Sequence, residues 1–205
     1  DRLRVSWYHA MVMGTSGATT CFSDPKLFTV LRDQARRVND LFKPKMFMMS
    51  HQVSRVVNWC QACRERGQSP GEILAENVRR CIEILKEVSP QARVAVWSDM
   101  FDPHHNAREG LYLVNGSFWG SWAGLPSSAI IVNRNTGNSV ASLNWFAGRG
   151  HEQVIGVYED KENPDFEERK NDATGLPTDV GFIYLTWQKK YDHLEQYAGV
   201  EDTSR

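Results

Sequence analysis

The sequence predicts an α/β protein, a single domain over residues 1–205 with its strands in one parallel sheet of the (β/α)8, TIM-barrel type. Three observations carry that expectation. Short apolar runs recur that are nearly continuous rather than alternating, as strands buried on both faces require. Segments with helix start signals and helical apolar spacing separate them. Polar and aromatic residues gather directly after the apolar runs, where the loops at the carboxyl ends of barrel strands build a site.

In chain order, the strand-like runs are residues 3–8, 46–49, 93–97, 129–132, 154–158 and 182–187. The first helix lies in SDPKLFTVLRDQARRVNDLF, where Asp24 precedes Pro25 and Leu27, Val30, Leu31, Val38 and Leu41 form an apolar stripe. The second lies in SPGEILAENVRRCIEILKEV. There Ser69 is the N-cap, Pro70 takes the first helical position and Glu72 completes a capping box. Its apolar face is Ile73, Leu74, Val78, Cys81, Ile82, Leu85 and Val88. A shorter helix is expected from about Ser139 to Phe146, stopped by Gly148. SFWGSWAG, within the Gly-rich segment NGSFWGSWAG, is polar and aromatic without strand periodicity and reads as a long loop over the site. Residues 159–179 read as a solvated helix or loop before the last strand.

The length suffices for one substantial core. With 24 basic against 25 acidic residues and no run of either sign, the electrostatic footprint of a nucleic-acid binder is missing. No apolar run approaches the roughly 18–20 residues that span a bilayer, so no membrane partner is expected and the chain should be soluble. No G-x-G-x-x-G follows any strand, and no cofactor is expected. The chain opens on Asp1 and goes at once into a strand-like run, as a processed or incomplete version of something longer would. Of the four cysteines, Cys60-x-x-Cys63 has a metal or redox spacing, but no second pair or histidine stands at ligand spacing beside it. Packed thiols one helical turn apart are the expectation, a disulfide is the alternative, and no metal is assigned.

FMMSHQV, ARVAVWSDMFD and VGFIYLTWQ resemble, in that order, three stretches of the β-N-acetylhexosaminidase type of (β/α)8 glycoside hydrolase and its uncharacterised barrel relatives, over about residues 45–190. The resemblance makes residues 46–49 the fourth barrel strand and 182–187 the eighth. On that count the chain holds about six βα units and lacks the first two strands, so homo-oligomerisation or association with a missing barrel segment is implied. In that family an Asp-Glu pair follows the first of these strands: the Glu protonates the leaving oxygen and the Asp orients the acetamido group. Here those positions are Gln52 and Val53, and no acid occurs between Asp40 and Glu65. Valine cannot transfer a proton and glutamine only hydrogen-bonds.

Glycoside hydrolysis usually needs two carboxyl groups, and those expected at strand ends are Asp99, Asp102, Glu159 and Asp160. The candidate catalytic groups are therefore Asp99, Glu159 and His51, the last as a base or a partner of a sugar hydroxyl. A loop-ordering role for Asp99 and a hydrogen-bonded structural role for His51 are the alternatives. The candidate substrate-binding residues are Gln52, Trp97, Asn115, Trp119, Asn133, Tyr158, Trp187 and Gln188, with tryptophan faces able to stack on a sugar. The function expected is a glycoside-hydrolase-like barrel that acts on or binds a carbohydrate ligand. A non-catalytic sugar-binding or assembly protein is the alternative, and a metal-assisted hydrolase using Asp99, Asp102 and His104 is a third reading.

Overall fold

The computed structural model describes residues 21–52, 54, 56–111, 113–158, 166–176 and 180–185. In chain order these form α1 (Pro25–Phe42), β1 (Met46–Met49), β2 (Val56–Val57), α2 (Gln61–Arg64), α3 (Pro70–Val88), β3 (Arg93–Trp97) and β4 (Leu113–Val114). A 3-10 turn (Ser121–Gly124), β5 (Ile130–Asn133), α4 (Ser139–Ala147), β6 (Gln153–Tyr158), α5 (Phe166–Asp172) and β7 (Val180–Leu185) follow. The strand expected at residues 3–8 lies outside the described residues, as do Glu159, Asp160, Trp187 and Gln188.

Five strands form one sheet in the order β1-β3-β5-β6-β7, and every pairing is parallel. Neighbours in space are also successive in the chain, so the sheet winds in one direction and curls as a half-barrel with helices between its strands. β2 and β4 form a separate two-stranded parallel ribbon built from the segments that follow β1 and β3.

Strand alternation sorts the side chains onto two faces. Val94, Val96 and Ile131 join Leu74, Val78 and Ile82 of α3 and Phe146 of α4 in the main core under the helices. Ile155 and Val157 join Leu143 and Phe166 in a second cluster on the same side. Ala95, Ile130 and Val132, with Trp97 and Val154, form the opposite, concave face. In register, Trp97, Val132, Val154 and Gly181 make one row across it.

The helix start signals act as their chemistry requires. Asp24 accepts from the Lys26 N–H at the start of α1. At α3, Ser69 Oγ accepts from Glu72 N, and the Glu72 carboxylate accepts from Ser69 N. Those hydrogen bonds hold the Glu72 carboxyl below the usual carboxylate range. Of the stripe expected on α1, Leu27 is buried, whereas Val30, Val38 and Leu41 stay exposed.

The crossover from β3 to β5 is unlike the others: its described residues form no α-helix. Instead the segment around the 3-10 turn runs along α3 and fills the place of a helix. Gly71 N donates to Ser117 O at 2.9 Å, Ser121 Oγ donates to Met100 O at 2.6 Å, and Phe118 is fully buried. The approach is so close that a Cβ on Gly124 would lie 2.0 Å from Ala75 O, and one on Gly71 2.2 Å from Trp119 O. These glycines are used for clearance, not for backbone freedom. NGSFWGSWAG is therefore clamped to α3 over much of its length.

A Gly124→Ala substitution is expected to cost at least the ~1–3 kcal/mol typical of overpacking, because the obstructing atoms are backbone. Gly137→Ala, whose Cβ meets only Asn135 Oδ1 at 3.9 Å, is expected to change stability little. Urea midpoints of the two variants check this; equal losses would count against the clamp.

Candidate functional site

The carboxyl ends of β3 and β5 are joined by a buried ion pair. Ser98 and Asp99 follow β3, and Arg134 follows β5, one residue past its last ladder position. Arg134 Nε and Nη2 donate to the two oxygens of Asp99 at 2.7 and 2.6 Å, a bidentate geometry. Asp99 is 2% exposed. The guanidinium lies 4.7 Å from the centre of the Trp97 ring, adding a cation–π contact. Gly156 of β6 gives Arg134 its room: a Cβ there would stand 3.3 Å from Arg134 Cβ and 2.7 Å from Leu185 Cδ1.

Asp102 is buried behind this pair, on the helix side. Its Oδ2 accepts from Ser142 Oγ at 2.6 Å and from Asn135 Nδ2 at 2.9 Å, and its Oδ1 accepts from His104 N at 2.8 Å. Asn133 Nδ2 donates to Ser142 Oγ and Gln153 Oε1, and Asn135 N donates to Asn133 Oδ1. Arg169 of α5, fully buried, donates to the carbonyls of Asn133 and Asn135 and to Ser139 Oγ. The loops after β3 and β5 and the starts of α4 and α5 thus share one continuous polar network, in which almost every group is satisfied by another part of the chain.

His51 leaves β1 toward the helices. Its Nε2 lies 3.1 Å from Asn77 Oδ1 on α3, and its ring is 5.9 Å from that of Phe101. His51 Nδ1 and Asn77 Nδ2 are buried without hydrogen-bond partners among the described residues. Both border a cavity of about 420 Å³ between α1, β1 and α3, walled mainly by apolar side chains such as Leu27, Leu31, Phe47 and Met49. Desolvation pushes the His51 imidazole below its ordinary range against the hydrogen bond to Asn77.

The structure brings together Trp97 and Asp99, through Arg134. It places the other described candidates elsewhere. Asn115 is paired with Asn58: each side chain donates to the other's carbonyl, at 2.9 and 3.2 Å, closing the β2–β4 ribbon. Asn133 belongs to the network under the helices. Trp119 stands on the segment along α3, 63% exposed, with its ring edge-on to Trp122 at 4.9 Å. Gln52 is half-buried beyond β1, and Tyr158 ends β6. His104 offers its backbone to Asp102 while its side chain is exposed. Asp99, Asp102 and His104 do not converge on one point.

Sequence reasoning missed Arg134, although its position directly after a strand, matching that of Asp99, was a usable signal. It also missed Cys21. Among the described residues, the group of three ligand-type side chains that does converge is Cys21, Cys60 and Cys63. Ser23 Oγ donates to Cys63 Sγ at 3.2 Å and Cys21 Sγ lies 3.6 Å from it; the contact with Cys21, ahead of the opposing desolvation and the Ser23 hydrogen bond, brings the Cys63 thiol down to about 5. The contact with Cys63, followed by desolvation, holds the Cys21 thiol above its ordinary range.

No protein-family model matches the chain, and no curated protein matches it significantly.

Two histidines set an acid sensitivity. His51 and His151 are both lowered below 6.5, chiefly by desolvation. The unfolded chain therefore binds their protons first as pH falls through about 6.5. The stability that neutral His51 and His151 contribute is present above that pH and is lost toward the lower, folded-state pKa values. His51→Gln is expected to flatten the decline in urea midpoint between about pH 7 and pH 5; an unchanged slope would contradict the assignment.

Proposed function

We propose that this chain is part of a glycoside-hydrolase-like (β/α)8 barrel that binds a glycoside at the carboxyl ends of its parallel strands without carrying out acid–base turnover there. The observation that carries the reading is the state of the two described strand-end carboxylates, Asp99 and Asp102. Asp99 is held bidentately by Arg134, and Asp102 is saturated by Ser142, Asn135 and the His104 N–H. A general acid must reach the leaving oxygen and exchange a proton with it; neither carboxylate is free to do so. In the sequence after β1, glutamine at 52 and valine at 53 are residue types that cannot act in its place. A half-buried Trp97 on the concave face is, by contrast, a group suited to sugars, because an aromatic face can stack on a sugar ring.

The cavity beside His51 fits a glycoside less well. Its walls are apolar, and a sugar placed there would leave hydroxyls without partners at a cost of roughly 1–3 kcal/mol each. The single-direction order of the parallel strands supports the barrel. So do Met46, Met48 and Ile183, which lie on the concave side and remain 46, 41 and 41% exposed. In the proposed barrel, further βα units or a second copy of the chain cover them. On that reading residues 1–205 alone associate in solution. Light scattering from a stable monomer over a wide concentration range would contradict it.

The functional test compares the parent with Gln52→Asp/Val53→Glu on an activated aryl N-acetylglucosaminide, with binding followed by calorimetry. The parent is expected to bind and not to cleave. A positioned general acid contributes about 10²–10⁴-fold in rate, so the double variant should show measurable cleavage if the pocket is otherwise in place. Trp97→Ala is expected to weaken parent binding. Cleavage by the parent at a rate the double variant does not improve, or binding indifferent to Trp97, would sink the proposal.

A further inference from the structure

The cluster Cys21–Cys60–Cys63 lies apart from the strand ends. Cys21 stands just before α1, Cys60 is the residue that caps α2 and Cys63 lies within that short helix, so the three join segments 39 and 42 residues apart. Cys21 Sγ is 3.4 Å from Cys60 Sγ and 3.6 Å from Cys63 Sγ, and all three sulfurs lie within 4.8 Å of one another. An ion bound tetrahedrally at the usual Zn–S distance of ~2.3 Å holds its sulfurs ~3.8 Å apart. The spacings of 3.4 and 3.6 Å fall within a few tenths of an ångström of that value, so small shifts of the sulfurs reach it and no cysteine has to cross the structure. A disulfide would use two of the sulfurs and leave the third unassigned.

The surroundings suit a bound cation with thiolate ligands. Ser23 Oγ donates to Cys63 Sγ at 3.2 Å, and Arg66 Nη1 donates to Ser23 Oγ at 3.3 Å, so a hydroxyl orients one sulfur and a guanidinium stands behind it. Such outer contacts are the usual support of a metal ligand and offset the negative charge of a three-thiolate set. The site has a structural use: with Ile73 of α3 it forms a small core of its own, and cross-linking it ties the start of α1 to α2 and α3. Soft thiolates at tetrahedral spacing select zinc over harder divalent ions.

We propose that Cys21, Cys60 and Cys63 form a structural zinc site that pins the start of α1 to α2. Coordination replaces three S–H bonds with three Zn–S bonds, and the protons leave to the buffer. No described His, Cys, Asp or Glu supplies a fourth ligand.

The test uses the full chain, purified under a non-thiol reductant and stripped of metal, with zinc alone as the probe. Zinc is expected to bind stoichiometrically against a chromogenic chelator. Cobalt in its place should give the sulfur-to-metal charge-transfer absorption of a thiolate site. Cys21→Ser and Cys63→Ser should lose stoichiometric uptake, whereas Cys81→Ser, outside the cluster, should keep it. Because a cysteine variant could fail to fold, alkylation of the parent gives a second readout: zinc should protect Cys21, Cys60 and Cys63 from iodoacetamide and leave the reactivity of Cys81 unchanged. Failure of the reduced, folded parent to take up zinc overturns the proposal. So does equal protection of all four thiols, or mass spectrometry of protein isolated without reductant showing Cys21 disulfide-bonded in metal-free chains.

Discussion

The Asp99–Arg134 pair is the constraint on which the carboxyl end of the sheet depends. A carboxyl group that is 2% exposed has both its oxygens met by one guanidinium, and that guanidinium lies over the Trp97 ring. The pair ties the segment after β3 to the segment after β5 without a covalent bond. Asp102 repeats the arrangement on the helix side, where Ser142 and Asn135 close around it. Together they make the strand ends a rigid polar floor. Rigidity of this kind suits recognition, since donors held in place lose little freedom on binding. It does not suit a group that must gain and lose a proton.

Much of the fold was legible in the sequence, because it rests on local chemistry. The strands at 46–49 and 93–97 appear where continuous apolar runs placed them, and the fifth and sixth strands differ from the expected ranges by one residue. The capping box of α3 was readable since Ser69, Pro70 and Glu72 interact within four residues. Where local and tertiary demands diverge, the sequence was less informative. The β3–β5 crossover has no helical period, and only packing shows that Gly71, Gly124 and Phe118 press it onto α3. On α1, helical spacing alone did not separate the buried Leu27 from the exposed Leu41.

The candidate site was legible as positions and not as directions. Trp97, Asp99 and Asn133 all lie at strand ends, but alternation turns Trp97 to the concave face and Asn133 to the helices. His51 turns toward Asn77, a residue 26 positions away that no spacing rule connects to it. Cys21 approaches Cys60 and Cys63 across 39 residues for the same reason: chain topology made the cluster, and the C-x-x-C spacing showed only its local half. Arg134 is the clearest case. It stands among polar strand-end residues, and its significance comes from Asp99, 35 residues earlier.

A double-mutant cycle on stability measures the dependence on this pair, with Asp99→Ala, Arg134→Ala and the combined variant unfolded in urea. Removing Arg134 alone strands a buried carboxylate, a loss of roughly 3–5 kcal/mol. The combined variant is expected to be no less stable than Arg134→Ala, because removing Asp99 relieves that stranded group. Losses that add to within ~0.5 kcal/mol would contradict it. They would mean that Asp99 and Arg134 act independently and that the strand ends do not depend on the pair.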